Sequence, residues 1–331
     1  MPRNPSPAGT PPSIAPSPDR DRSWFSVLKT LILIAALGYV GWKLFRAIDD
    51  VRRGSLLLQI RGGWLVVSAA IVLGTYTLLI SSWLYIVRRL AGRSIPFLTG
   101  ARIWFISNLG TLLPGRVWGI IQMGAMSVEQ GINPVAAGGA SVINAAVNIA
   151  CGIAVGAVTG AEIYAVHLGD FAWLAWVAAV GAVLGIVLLP VLLPILFRAL
   201  GRRGREVPTH VPVDTVIVSV GANVLSWVLY GAAFLALSKG ILGDTPGTFV
   251  QHIAAFATSY VLGYLAIIVP LGIGVREKFL EEILKTAQMV TAPQAQALTV
   301  VSRLWLLIIQ VLPALIFLAY RRPRDETTSP R

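Results

Sequence analysis

The sequence predicts an all-α polytopic membrane protein with about six full spans and two re-entrant helical hairpins arranged as an inverted repeat, or eight spans if the hairpins cross fully. Three observations carry this. The chain is 56% hydrophobic and 13% charged, with a mean hydropathy of +0.74, which leaves too little polar surface to cover a water-soluble domain of 331 residues. Six apolar runs are long enough to span a bilayer. Two further apolar stretches are each interrupted near the middle by proline and glycine, with an arginine just beyond.

Residues 1–22 are rich in Pro, Ser and Gly without apolar periodicity, so a disordered N-terminal tail is predicted there. The first apolar run, Trp24 to Phe45, starts too far from Met1 and lacks the small-residue cleavage site of a signal peptide. It is expected to remain as a helix and to open a membrane domain over 23–320. Further spans are predicted at Trp64 to Val87, Pro134 to Gly160, Phe171 to Phe197, Val213 to Leu237 and Pro293 to Tyr320. Residues 321–331 form a short basic tail.

The broken stretches are Phe97 to Val128, interrupted at Pro114-Gly115, and Phe249 to Thr286, interrupted at Pro270, Gly272 and Gly274. Basic clusters at Arg88, Arg89 and Arg93, at Arg198, Arg202, Arg203 and Arg205, and at Arg321, Arg322 and Arg324 mark cytoplasmic loops. The loops around Glu162 to Asp170 and Lys239 to Gly247 are poor in basic residues and are predicted to be external. With these assignments the first broken stretch leaves and returns inside, the second outside, and both termini lie in the cytoplasm of a bacterial inner-membrane protein. Arg46, Arg52, Arg53 and Arg61 run against the rule. The two stretches also align: Leu112 to Arg116 faces Ile268 to Gly272, a proline (Pro134, Pro293) opens each following helix, and ten residues later stand Asn144 and Arg303. Discontinuous helices entering from opposite faces are the mark of an inverted-topology repeat.

Charge and composition exclude several function classes. The net charge of +12 sits in short clusters beside apolar runs, as anionic headgroups favour, and does not indicate nucleic acid. The single Cys151 permits neither a disulfide within the chain nor a cysteine metal site, and His167, His210 and His252 are scattered. No nucleophile elbow, metal-ligand spacing or nucleotide loop is present, so no cofactor, metal or enzymatic activity is expected.

The second hairpin, Val269-Pro-Leu-Gly-Ile-Gly-Val-Arg-Glu277, resembles the Pro-x-Gly-x-Gly-x-Arg-Glu motif of the flippase-like transmembrane domain of lysylphosphatidylglycerol synthases and their stand-alone relatives. The first, Asn108 to Arg116, is similar to that family's Asn-to-Pro-Gly-Arg stretch. The resemblance covers roughly Trp64 to Tyr320. It implies two inverted repeats that move lipids between leaflets, with aminoacylated phosphatidylglycerol as substrate in the best-known members. Where many relatives carry an acidic-basic pair and a further acid after the proline, this chain has Asn144, Ala145 and Asn148, which points to a different lipid or to loss of transport. The residues after Tyr320 leave no room for the aminoacyl-transferase domain, so lysyl transfer is not expected.

The predicted lipid-binding residues are Arg116, Arg276, Arg303, Asn108, Glu277, Asn144 and Asn148. A guanidinium in an apolar stretch is costly without a partner or a wet cavity, and it binds phosphate bidentately. Each has a structural alternative. Arg116 and Arg276 could pin their hairpins, Glu277 could complement its helix N-terminus, Arg303 could pair with Glu277, and the amides could form interhelical hydrogen bonds. Lys278, Glu281, Glu282 and Lys285 alternate with apolar residues as an interfacial helix would. Gly138, Gly139, Gly152 and Gly156 are read as permitting close helix packing. The expected partners are membrane lipids with anionic headgroups. The opposing readings are a membrane subunit that scaffolds a lipid-modifying or glycosylating enzyme, and an ion-coupled carrier of a soluble solute.

Overall fold

A computed structural model describes residues 60–110, 117–200, 212–243, 247–265 and 274–319. Among these are ten α-helices, a single 3-10 turn (Gly169–Phe171) and no strand. In chain order the helices are α1 (Gly62–Ala91), α2 (Phe97–Leu109), α3 (Val117–Val128), α4 (Pro134–Thr159), α5 (Ala161–Leu168), α6 (Trp173–Leu200), α7 (Val213–Leu242), α8 (Phe249–Leu265), α9 (Val275–Thr286) and α10 (Ala292–Ala319). Five are long and apolar enough to cross a membrane: α1, α4, α6, α7 and α10. They are the predicted spans from Trp64 onward. The first predicted span, both tails, Arg116, Pro114, Gly115, Pro270 and Gly272 lie outside the described residues.

Length decides what the remaining helices can do. With 13, 12 and 12 residues, α2, α3 and α9 reach only about 18–20 Å, short of a hydrocarbon core of about 30 Å. Each therefore pairs with its neighbour. In α2–α3 a Cβ on Gly110 would stand 3.0 Å from the Gly119 nitrogen, and at the open end Gly131 sits against the Arg93 guanidinium. In α8–α9, Gly263 lies against Arg276, and at the open end Gly247 faces Met289.

Helices α1 and α7 run antiparallel along their whole length. Arg61 N donates to Gly240 O at 2.8 Å, Ser68 Oγ to Ala233 O at 2.8 Å, and Tyr85 OH to Asp214 Oδ2 at 2.8 Å. The first hairpin departs from the end of α1 and the second from the end of α7, so their open ends lie at opposite ends of the bundle. Helix α10 packs antiparallel to α2, with Gln310 donating to Asn108 O at 3.2 Å and Phe317 stacked on Phe105.

The packing has a second regularity. Among α1–α4 and α7–α10, exchanging α1 with α7, α2 with α8, α3 with α9 and α4 with α10 leaves the set of touching helix pairs unchanged. Thus α4 packs on α8 just as α10 packs on α2, and α1 packs on α4 as α7 packs on α10. Only α5 and α6 have no counterpart. Helix α6 rests on α4 and α7 and exposes Val180, Leu184, Val187 and Val191 on its outer side, a surface suited to lipid.

In lipid, apolar side chains gain little by leaving one hydrocarbon for another, so helices associate through close packing and hydrogen bonds. Trp227 shows both. Its ring fills the notch at Gly152, where a Cβ would come within 2.7 Å of it, and its Nε1 donates to Asn148 O at 2.9 Å. Trp83 Nε1 donates to Ser141 Oγ at 3.1 Å, joining α1 to α4. Gly156 likewise meets Thr258. Gly138 differs from its predicted role, because nothing lies within 4 Å of a Cβ there. The predicted loop around Glu162 also differs: it contains α5, which docks because Ile163 is buried and the Tyr164 hydroxyl bonds Thr258 Oγ1.

Candidate functional site

Between the two hairpins lies a cavity of about 310 Å³, near the lower end of the range for small-molecule sites. Of the predicted site residues it brings together Asn108, Asn144, Asn148, Arg276 and Arg303. They come from α2, α4, α9 and α10, which the sequence separates by up to 195 positions.

Arg276 is placed by the turn that precedes it. Gly274 has φ +89°, a conformation that side chains rarely adopt, and its backbone N donates to Glu277 Oε2 at 2.6 Å, so the carboxylate caps α9. This turns Arg276 inward, where it is only 6% exposed. Its Nη2 makes one long contact, 3.5 Å to Ser302 Oγ, and its Nε has no hydrogen-bond partner among the described residues. The guanidinium carbon lies 5.4 Å from the Phe256 ring centre and 5.8 Å from that of Tyr260, within cation–π range. Aromatic faces hold the charge without occupying its donors.

Glu277 does not line the cavity; its Oε1 forms an ion pair with Arg303 Nη1. One carboxylate thus caps α9 and fastens it to α10. The amides divide between two roles. Asn148 Nδ2 donates to Asn223 Oδ1 at 2.8 Å, an interhelical bond to α7, and Asn108 Nδ2 donates to its own helix at Trp104 O, 2.9 Å. Asn144 accepts one long bond of 3.5 Å from Ser82, while its amide hydrogens meet no acceptor among the described residues.

Sequence reasoning missed the cavity's aromatic lining: Tyr76 on α1, Trp104 on α2, Trp227 and Tyr230 on α7, and Tyr260 on α8. A signal for two of them was present. Tyrosines in membrane helices favour the interfaces, yet Tyr76 and Tyr230 stand near the middles of 30-residue helices. No group of three or more His, Cys, Asp or Glu side chains suited to a metal occurs among the described residues. Cys151 is buried, with Sγ 3.9 Å from Val220 O, and His252 is bonded through Nδ1 to Thr248 O at 2.9 Å.

Fold and cavity define a multi-pass, all-helical membrane protein with a partly polar chamber at its centre. The family model for the lysylphosphatidylglycerol synthase TM region matches residues 26–314, and the chain belongs to that family, whose members are membrane proteins of lipid metabolism or transport. The match reaches back to residue 26, into the apolar run Trp24 to Phe45, so the family likeness begins earlier than the motifs alone indicate. No curated protein matches the chain.

Proposed function

We propose that the chain is a non-enzymatic transporter of the bacterial cytoplasmic membrane that passes an anionic phospholipid between leaflets, with Arg276 receiving the phosphate. The observation that carries this is the state of Arg276: a guanidinium 6% exposed, lining a chamber, with an unpartnered Nε. Such a charge persists in a membrane protein chiefly where a partner or a wet cavity takes it. The planar donors suit two phosphate oxygens, and the acyl chains stay in the bilayer while the headgroup crosses.

The antiparallel α1 and α7 and the exchange-invariant packing support an inverted repeat, since a two-fold axis relating antiparallel spans lies in the membrane plane. In the sequence Arg116 follows the first helix break as Arg276 follows the second. The basic residues at the end of α1 support a cytoplasmic position for that end and, with it, for both termini. Arg303, Asn108, Asn144 and Asn148 orient the headgroup around the bound phosphate.

The test is reconstitution into vesicles containing acyl-labelled phosphatidylglycerol, with dithionite reduction reporting the outer leaflet. Movement should exceed that in protein-free vesicles and fall in the order Arg276, Arg276→Lys, Arg276→Gln per folded molecule. Equal specific activity in Arg276→Gln sinks the phosphate contact. No movement above background favours a scaffolding subunit.

A further inference from the structure

We infer that the headgroup this cavity admits is an uncharged polyol or sugar carried on the phosphate, and not a cationic one such as an aminoacyl or choline group. The inference rests on the transport reading above and narrows its substrate.

Charge comes first. Among the described residues, the charged side chains lining the cavity are Arg276 and Arg303, and no carboxylate lines it. The nearest, Glu277, is committed on both oxygens, to Gly274 N and to Arg303. The sequence between α2 and α3, residues 111–116, and that between α8 and α9, residues 266–273, contain no Asp or Glu either. An ammonium carried into this chamber would leave water beside two guanidinium groups, with no carboxylate of the described residues to pair with and its own phosphate engaged by Arg276, a heavy penalty at low dielectric.

Hydrogen bonding points the other way, toward hydroxyls. The phenol groups of Tyr76, Tyr230 and Tyr260 line the cavity and bond to nothing among the described residues, and neither do the amide hydrogens of Asn144. A phenol can both donate and accept, and an amide supplies two donors. Unpartnered polar groups in an apolar protein interior are costly, and a ligand bearing several hydroxyls would satisfy these together. The indole rings of Trp104 and Trp227 add flat apolar faces that a sugar's C–H surface can cover. At about 310 Å³ the space exceeds what a lone phosphate fills.

The test is binding, which is independent of transport. Purified protein in phosphatidylcholine nanodiscs is titrated with dioctanoyl phosphatidylinositol, dioctanoyl phosphatidylcholine, dioctanoyl lysyl-phosphatidylglycerol and free glucose 1-phosphate, and the emission change is followed that Trp104 and Trp227 should report. Phosphatidylinositol should bind more than about tenfold tighter than either lipid whose headgroup carries a cationic group, a gap that one uncompensated charge is enough to produce. Tyr76→Phe and Tyr230→Phe, which keep the ring, should each weaken phosphatidylinositol by about threefold to tenfold and leave phosphatidylcholine unchanged.

Equal or tighter binding of lysyl-phosphatidylglycerol or phosphatidylcholine overturns the inference, as does indifference to both tyrosine variants. Equal affinity for glucose 1-phosphate overturns a lipid as the source of the headgroup. If phosphatidylinositol binds selectively but no lipid moves in vesicles, the transport reading fails and the headgroup inference stands. If lipids move without regard to headgroup, the reverse holds.

Discussion

Gly263 lies against Arg276 so closely that a Cβ at 263 would stand 2.6 Å from the Arg276 Cβ and 3.2 Å from its Cα. The contact is with backbone and the root of a side chain, which cannot swing away. Gly263→Ala is therefore expected to push α9 off α8 and destabilise the protein by about 1–3 kcal/mol, the usual cost of overpacking. Gly138→Ala is the control, since its Cβ meets open space and alanine is the better helix former by about 0.5–1 kcal/mol. Thermal unfolding in detergent, followed by retention of the monodisperse peak, should fall for the first and hold or rise for the second.

Arg276 itself should contribute little to stability. It makes one contact of 3.5 Å and leaves Nε unbonded, so desolvation is set mainly against two aromatic contacts worth about 0.5–2 kcal/mol each. Arg276→Met is expected to unfold within a few degrees of the parent while lipid movement is lost. A large drop in thermal stability would mark the residue as a pin.

Glu277 and Arg303 behave as a coupled pair, with side chains 18% and 24% exposed. Removing one partner leaves the other charge uncompensated in a poorly solvated place. Glu277→Gln and Arg303→Gln are each expected to cost more than their share in the double variant, with a coupling of about 1–3 kcal/mol in a double-mutant cycle. Additive effects would deny the pair any stabilising role.

The opposite open ends of the hairpins can be read by labelling. In a Cys151→Ala background, Gln130→Cys beside the first open end and Ala292→Cys beside the second are both exposed. A membrane-impermeant maleimide applied to intact cells should reach only Ala292→Cys, and to inverted vesicles only Gln130→Cys. Labelling of both from one side would contradict opposed hairpins in the membrane.

Much of the fold was legible because its signals are local. Apolar length marked the spans, Asn133 and Pro134 opened α4 with a side-chain cap to Val135 N at 2.9 Å, and helix breakers marked both hairpins. Arg276 and Arg303 stood out because charge in an apolar run is rare. The cavity was less legible because its aromatic wall is assembled from four helices, and a tyrosine such as Tyr230 does not announce which neighbours it will meet. Helix α5 was read as loop because Glu162 and Asp170 obscured the contacts that dock it, buried Ile163 and the Tyr164 hydroxyl on Thr258. Gly138 was misread because small residues on one helix say nothing about whether a partner lies opposite each of them.

The double duty of Glu277 has a mechanical consequence. Because the same carboxylate closes the turn at Gly274 and grips Arg303, it acts as a rivet through both parts. The second hairpin cannot tilt away from α10 without unwinding its own first turn, and the two will travel as one stiff lever. In the first half of the molecule the corresponding side-chain bond between α3 and α4 is an uncharged one, Ser141 Oγ donating to the Met123 sulfur at 3.3 Å, so the two halves are fastened by bonds of different strength.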